Sequence, residues 1–346
     1  MHGNLPQRPR VVPGLAVLRR RPGEIQVGLD PRHATVVSGL PEPVIAAAGR
    51  LTGHRTAADL LAEVGTDPAG PPALRDLLSG LAAKGLVHDA PDAAVPGRLL
   101  GEETVSAGRP DRTAWPPTAR GEAAVAVHGD GRLAVALACL LAAAGVGRVH
   151  VAAGGTVRPE DVGTGYLAGD VGRPRGEAAR DAVRRVDASV RTCGLDARRR
   201  PDLVVLTDAV VPDPDLVGVL IADAVPHLAV HVRDGVGVVG PLVVPGLTSC
   251  LRCADLCRSQ VDQCWPRIAA QLAGRPQLAD LACTQTTAGF AAAQVLEILH
   301  WSRSAQGRPA TWNASVEIDP RSARIQYRRW RSHAACPCRG RGQERR

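Results

Sequence analysis

The hydrophobic pattern divides the chain into two regimes. Up to about Ala90, short alternating segments come first, at Leu15 to Leu18, Glu24 to Val27 and Thr35 to Val37, with RRPGE and DPRH turns between them. Alternation bounded by turn residues predicts a small antiparallel sheet. Helical spacing follows. PEPVIAAAGRL opens on a proline, Thr56 is placed to cap AADLLAEV, and PPALRDLLSGLAAKG carries Leu74, Leu77, Leu78 and Leu81 before stopping at Gly85. Leu86 to His88 predicts a closing strand. A sheet, three helices and a last strand are the elements of a small winged helix-turn-helix, assigned to residues 1–90.

A Pro-, Gly- and charge-rich stretch, residues 91–122, reads as a linker. From Ala123 the pattern changes period. AVAVHG predicts a buried strand and RLAVALACLLAAAG a helix; VGRVHVAAGG predicts a second strand. Helix EAARDAVRRVDASV, strand DLVVLTD, helix LVGVLIADA and strand HLAVHVR follow. Strands alternating with helices predict a mainly parallel sheet covered on both faces, an α/β Rossmann-like domain over 123–346.

Composition narrows this picture. With one Phe, two Tyr and five Trp in 346 residues, the core must be built from Ala, Val and Leu. Of 42 basic residues only Lys84 is a lysine, and the last 26 residues hold nine arginines against one glutamate. That tail reads as a solvated segment of an arginine-biased chain. TAADLLAEVG carries no arginine and PPALRDLLSGLAAKG carries one, too few for phosphate and base contacts, so nucleic acid ranks last among partners. The apolar run from Leu133 is too short to span a bilayer, and the N-terminus lacks the apolar stretch of a signal peptide. The expectation is a cytoplasmic protein without a membrane partner, where nine cysteines serve as thiols or metal ligands rather than disulfides.

Two groups of residues carry candidate chemistry. Gly129, Gly131 and Ala134 stand as G-x-G-x-x-A between a predicted strand and helix, where small residues let a diphosphate approach the backbone at a helix N-terminus. A ribose-binding carboxylate is expected at the end of the second strand, but that strand ends in Ala153, Gly154 and Gly155. Cys250 and Cys253 form C-x-x-C, and Cys336 and Cys338 form C-x-C. Two close pairs supply the four thiolates of a closed, structural zinc site, with Cys257 and Cys264 near enough to substitute. Cys139 and Cys193 read as core or surface thiols. Cys283 lies in an apolar helical stretch with no cation to lower its pKa and reads as packing.

The segments GDGRLAVALACLLAAAGVGRVHV, DVGRPRGEAA, LTDA, PLVVPG with TSCLRC, and AAAQVLEIL, in this order, resemble the ThiF/MoeB/E1-like superfamily from Ala123 onward. Members adenylate the C-terminus of a ubiquitin-like sulfur carrier with ATP and magnesium, are often dimeric, and carry a zinc held by two cysteine pairs. The resemblance assigns that zinc to Cys250, Cys253, Cys336 and Cys338. Carried over position by position, the nucleotide residues are mostly replaced. The acidic run after the second strand falls on Ala153 to Gly155. The asparagine, arginine and glutamine of the next loop fall on Asp161, Thr164 and Gly165, and the lysine falls on Arg175. The catalytic aspartate is kept as Asp208, with Ala209 in place of the asparagine after it. In-line attack on a phosphate depends on fixed charge around it, so the expectation is a pseudoenzyme in which ATP and magnesium are in question.

Residues 1–90 in turn resemble the PqqD-like peptide-recognition domain that precedes degenerate E1-like domains in azoline-forming peptide-modification systems, through GRLTGHRTAADLLAEV and LLSGLAAKGLV. The resemblance implies a non-adenylating adaptor that binds the leader of a ribosomal precursor peptide and presents it to a YcaO-type cyclodehydratase. An extended leader would add a strand to the Leu15–Val37 sheet, its apolar side chains against the helix from Ala73 to Lys84. The alternative is a working adenylyltransferase for a carrier-protein C-terminus, with Asp161 or Asp170 covering for the missing acid.

Overall fold

A computed structural model describes residues 5–90, 96–103, 117–192, 200–305 and 307–338. Two compact units divide the chain, Met1–Thr118 and Ala119–Arg346. Most of the 91–122 segment, Cys193 and residues 339–346 of the arginine-rich tail lie outside the described residues.

In the first unit, β1 (Pro9–Val11) pairs antiparallel with β5 (Val87–Asp89). A separate antiparallel sheet runs in the order β2 (Val17–Arg21), β3 (Glu24–Val27), β4 (Thr35–Ser38). Three helices complete the unit: α1 (Glu42–Ala48), α2 (Ala57–Glu63) and α3 (Gly70–Ala83). Thr56 accepts from the Asp59 amide while Asp59 accepts from the Thr56 amide, closing a capping box on α2. Leu74, Leu77, Leu78 and Leu81 of α3 are all buried, against Ile25 and Val27 of β3 and Leu60 of α2. Each such side chain contributes about 1.5–3 kcal/mol relative to exposure. Gly80, in the interior of α3, is exposed, and glycine there costs the helix about 0.5–1 kcal/mol relative to alanine. A short helical turn, α4 (Leu100–Glu103), follows.

The second unit is built on a seven-stranded sheet. Its members are β6 (Ala124–His128), β7 (Arg148–Ala152), β8 (Leu203–Thr207), β9 (His227–Arg233), β10 (Val236–Val243), β11 (Ala314–Asp319) and β12 (Arg324–Arg329), in the spatial order β12-β11-β10-β9-β8-β6-β7. Strands β7, β6, β8 and β9 are parallel; β10 to β12 extend the sheet antiparallel. All five residues of β8 are buried, as a central parallel strand requires.

The helices are α5 (Arg132–Ala143), α6 (Arg175–Val186), α7 (Pro214–Ala222), α8 (Leu251–Val261), α9 (Trp265–Leu272) and α10 (Leu281–Ser304). Eight of the twelve residues of α5 are buried, and α5 packs on β6 and β7 and against the long α10, which itself covers β9 and β10. On the other face, Ala126, Val204 and Leu206 meet Leu220 of α7 and Leu251 of α8. The chain therefore has the expected α/β Rossmann-like body. Among the described residues no helix is long and apolar enough to cross a membrane.

Candidate functional site

Strands β7 and β8 lie on opposite sides of β6, so the chain leaves β6 at a topological switch point, where open α/β sheets place ligands beyond the strand ends. Gly129 and Gly131 make the turn from β6 into α5, which begins at Arg132. At the end of the neighbouring β8, the Thr207 hydroxyl donates to the His128 carbonyl (2.9 Å) and to the Asp208 carboxylate (3.0 Å). The Gly131 amide donates to Asp208 Oδ2 at 2.9 Å. Glycine is required sterically here: a Cβ on Gly129 would lie 1.9 Å from Thr207 Oγ1 and 2.3 Å from Asp208 Oδ2. Ala134 is fully buried in α5, where its small side chain serves helix packing.

Asp208 sits in left-handed backbone, φ 71°. Burial pushes its carboxyl up to about 6; the bonds from Gly131 and Thr207 pull the other way, and the charges of Asp130 and Asp161 add to the rise. Arg175, the first residue of α6, is nearly buried. It donates to Asp161 from Nη2 (2.9 Å) and Nε (3.1 Å) and to the Gly154 carbonyl (3.1 Å). Around these groups lies a cavity of about 400 Å³, with Asp130, Glu160, Asp161 and Asp208 set against Arg132, Arg158 and Arg175. Asp208, Gly131 and Arg175 of the candidate residues are thus brought together. Arg132, Arg158 and Glu160 join them without having been marked by any motif; the basic residue that follows G-x-G was the signal available for Arg132.

The groups of this cavity are engaged with one another. Arg132 donates to the Glu160 carbonyl, Arg158 lies 3.7 Å from the Glu160 carboxylate, and Arg175 is closed on Asp161. Asp130 Oδ1 accepts from the Gly154 amide at 2.6 Å, so an acid from the glycine turn reaches the end of β7, where Ala153, Gly154 and Gly155 supply none. Asp170 accepts from Arg173 (2.6 Å) and from the Leu167 amide.

The four cysteines also converge. Cys250 at the N-cap of α8 and Cys253 in its first turn meet Cys336 and Cys338, with all four sulfurs within 4.8 Å of one another. The separations are 3.8 Å between Cys250 and Cys253, 3.5 Å between Cys250 and Cys336, and 3.3 Å between Cys253 and Cys338. Tetrahedral zinc with Zn–S of about 2.3 Å spaces its sulfurs by roughly 3.8 Å, so the arrangement fits that metal. The His333 amide points at Cys253 Sγ (3.4 Å), and burial pushes the Cys338 thiol up to about 11. A dication offsets both the burial and the mutual repulsion of the thiolates. Cys257 and Cys264 are outside the cluster. Burial also raises the Cys283 thiol, which donates to the Gly235 carbonyl (3.3 Å) within the packing of α10.

Among the described residues of the first unit, β4 pairs with β3 alone, and its second edge faces a groove of about 360 Å³ whose other wall is α3. Val37, Leu77 and Leu81 line it, with Thr35 and Lys84 at one end; Lys84 Nζ lies 3.3 Å from Thr35 Oγ1.

A parallel α/β core with a glycine turn at its switch point and a four-cysteine cluster defines a nucleotide-fold protein of the E1 type. The ThiF family profile matches residues 120–339, and the chain belongs to the ThiF family. Comparison with curated protein sequences found no match. Among solved structures, E. coli MccB with MccA-N7isoASN aligns at TM-score 0.68 and 15% identity, covering 96% of this chain and 99% of that one. E. coli MccB with ATP aligns at TM-score 0.66 and 15% identity over the same shares. PaaA aligns at TM-score 0.63 and 16% identity, covering 91% of this chain and 98% of that one. These likenesses extend through both units of the chain.

Proposed function

We infer that this protein is a non-adenylating, E1-like adaptor of a peptide-modification system. In this reading it binds the leader of a ribosomal precursor peptide through its first unit and presents it to a partner cyclodehydratase of the YcaO type. The observation that carries the reading is the self-satisfied cavity around Asp208. A polyphosphate entering there meets four carboxylates, and the glycine-turn amide and the arginines it needs are already bonded within the chain. Exchanging those bonds for phosphate contacts gains little, and in-line attack lacks free positive charge. The free edge of β4 beside α3 supports leader capture by strand addition. The MccB structures include a complex with MccA, which supports peptide binding by a chain of this fold. Zinc on the four cysteines would serve structure only, because a closed thiolate shell leaves no coordination site for substrate.

One observation favours a second reading. Asp130 stands at the end of β7 and could hold a ribose in place of the missing strand acid, which would leave a working adenylyltransferase for the C-terminus of a ubiquitin-like carrier. Calorimetric titration with Mg-ATP, followed by pyrophosphate exchange, separates the two. The adaptor reading expects neither binding nor exchange. Binding with exchange that is lost in Asp130→Ala would replace it with the enzyme.

A further inference from the structure

The leader-binding reading leaves open what pattern of side chains the groove accepts, and α3 supplies an answer. Asp76, Gly80 and Lys84 are all exposed, spaced four apart along one row of α3 and its C-cap, and all three line the groove above the buried Leu77 and Leu81. Four helical residues rise about 6 Å, and alternate residues of a strand lie about 6.6 Å apart. A strand laid on the free edge of β4 would therefore carry its side chains i, i+2 and i+4 in step with these three positions.

Among the described residues neither charged member of the row has an ion-pair partner, and the glycine makes no internal contact. Gly80 lies mid-helix, where glycine is disfavoured, and a Cβ built there meets nothing within 4 Å. Neither a turn nor a close internal approach requires it; what the glycine leaves is room over the groove. Lys84 is the sole lysine of the chain and has no carboxylate partner among the described residues. A second cavity, of about 350 Å³, brings His33 and Arg32 to the same end, with Arg32 held on Asp30. Asp76, at the other end of the row, likewise has no ion pair among the described residues.

Building on that reading, we propose that the groove between β4 and α3 selects an extended peptide with a basic, a bulky apolar and an acidic residue at alternate positions. The basic side chain sits at Asp76, the apolar one over Gly80 and the acidic one at Lys84. Antiparallel addition to β4, the more stable pairing, puts the basic residue first in the peptide. The opposite charges at the two ends of the row set direction and register, since a one-residue slip turns every side chain away from the groove.

The test uses the full-length protein. A random peptide library displayed on phage is selected on the immobilised chain. Enriched peptides, fluorescein-labelled, are then titrated by anisotropy against wild type, Gly80→Leu and Lys84→Glu, with thermal melting of each variant. The expected result is enrichment of the basic–x–apolar–x–acidic pattern. Gly80→Leu should weaken binding by about tenfold or more by filling the room, with an unchanged or higher melting temperature because leucine suits a helix better. Lys84→Glu should weaken acid-bearing peptides about fivefold and shift selection toward a base at that position. Peptides that bind wild type and Gly80→Leu equally would overturn the groove pattern and leave peptide binding standing. Peptides without the acid that still lose affinity in Gly80→Leu would overturn the role of Lys84. A selection yielding no peptide that binds wild type would overturn both this inference and the leader-binding reading.

Discussion

Asp208 shows how a retained family residue can act against stability. Its carboxyl, raised to about 6, keeps its proton in a pH range where the unfolded chain, with a pKa near 3.8, has released it. The folded state thus binds more protons between those values, so stability falls as pH rises from about 4 to 6, and the deficit persists at neutral pH. Asp208→Asn keeps an acceptor for the Gly131 amide, tolerates the left-handed backbone and removes the buried charge. It should raise the melting temperature at pH 7, by an amount corresponding to at most about 3 kcal/mol, and flatten the dependence between pH 4 and 6. Thermal melts across that range test this; a lower melting temperature at pH 7 would mean that the carboxylate is stabilised by a cation. The glycine motif made Gly131 legible, and the family resemblance added Asp208 and Arg175. Asp161 was marked as a substitute acid, but its closure on Arg175, the reach of Asp130 to Gly154 and the bond of Arg132 to Glu160 were not legible, because they depend on loops whose course follows from the finished sheet.

At the scale of elements, the turn between β6 and α5 depends on glycine through contact with β8 rather than through backbone freedom. Gly129→Ala would drive a methyl group into Thr207 and Asp208 and is expected to cost about 1–3 kcal/mol, read as a lowered urea midpoint with an unchanged slope. Periodicity gave away the parallel strands and the three helices of the first unit, since their apolar residues recur at 2 or 3.6. It missed the antiparallel half of the large sheet. Strand β10 contains Gly237, Gly240 and Pro241, which read as turn residues. Strand β12, with Arg324, Arg328 and Arg329, is exposed at all six positions and looks like solvated tail. Its pairing with β11 comes from register across a hairpin, which composition does not reveal. Strand β1 was hidden in the same way, because Pro9 opens it and its partner lies across the whole first unit at β5.

Across the second unit, the cysteine cluster joins the start of α8 to a segment 85 and 86 residues further on. Spacing brought out the two cysteine pairs, with Cys257 and Cys264 as substitutes, because paired thiols need no knowledge of the fold between them; the resemblance chose the four that the structure brings together. Metal analysis should find about one zinc per chain. Cys250→Ser, or a strong chelator, should remove it and lower the melting temperature by roughly 10 °C, as expected for a loss of a few kcal/mol in a body of this size. Zinc-free protein that melts at the same temperature would leave the cluster without a structural role.

The seven-stranded and the three-stranded sheet treat their outer strands differently. Strand β12 ends the large sheet behind arginines, which repel a like edge and keep it from recruiting another chain. Strand β4, reading Thr-Val-Val-Ser, ends the small sheet with no charge at all. An uncharged outer strand is sticky toward its own kind, so copies of this protein compete with any peptide for the same row of backbone groups. Concentrated protein without peptide should therefore cloud and precipitate through its first unit, and a bound peptide should act as its solubiliser.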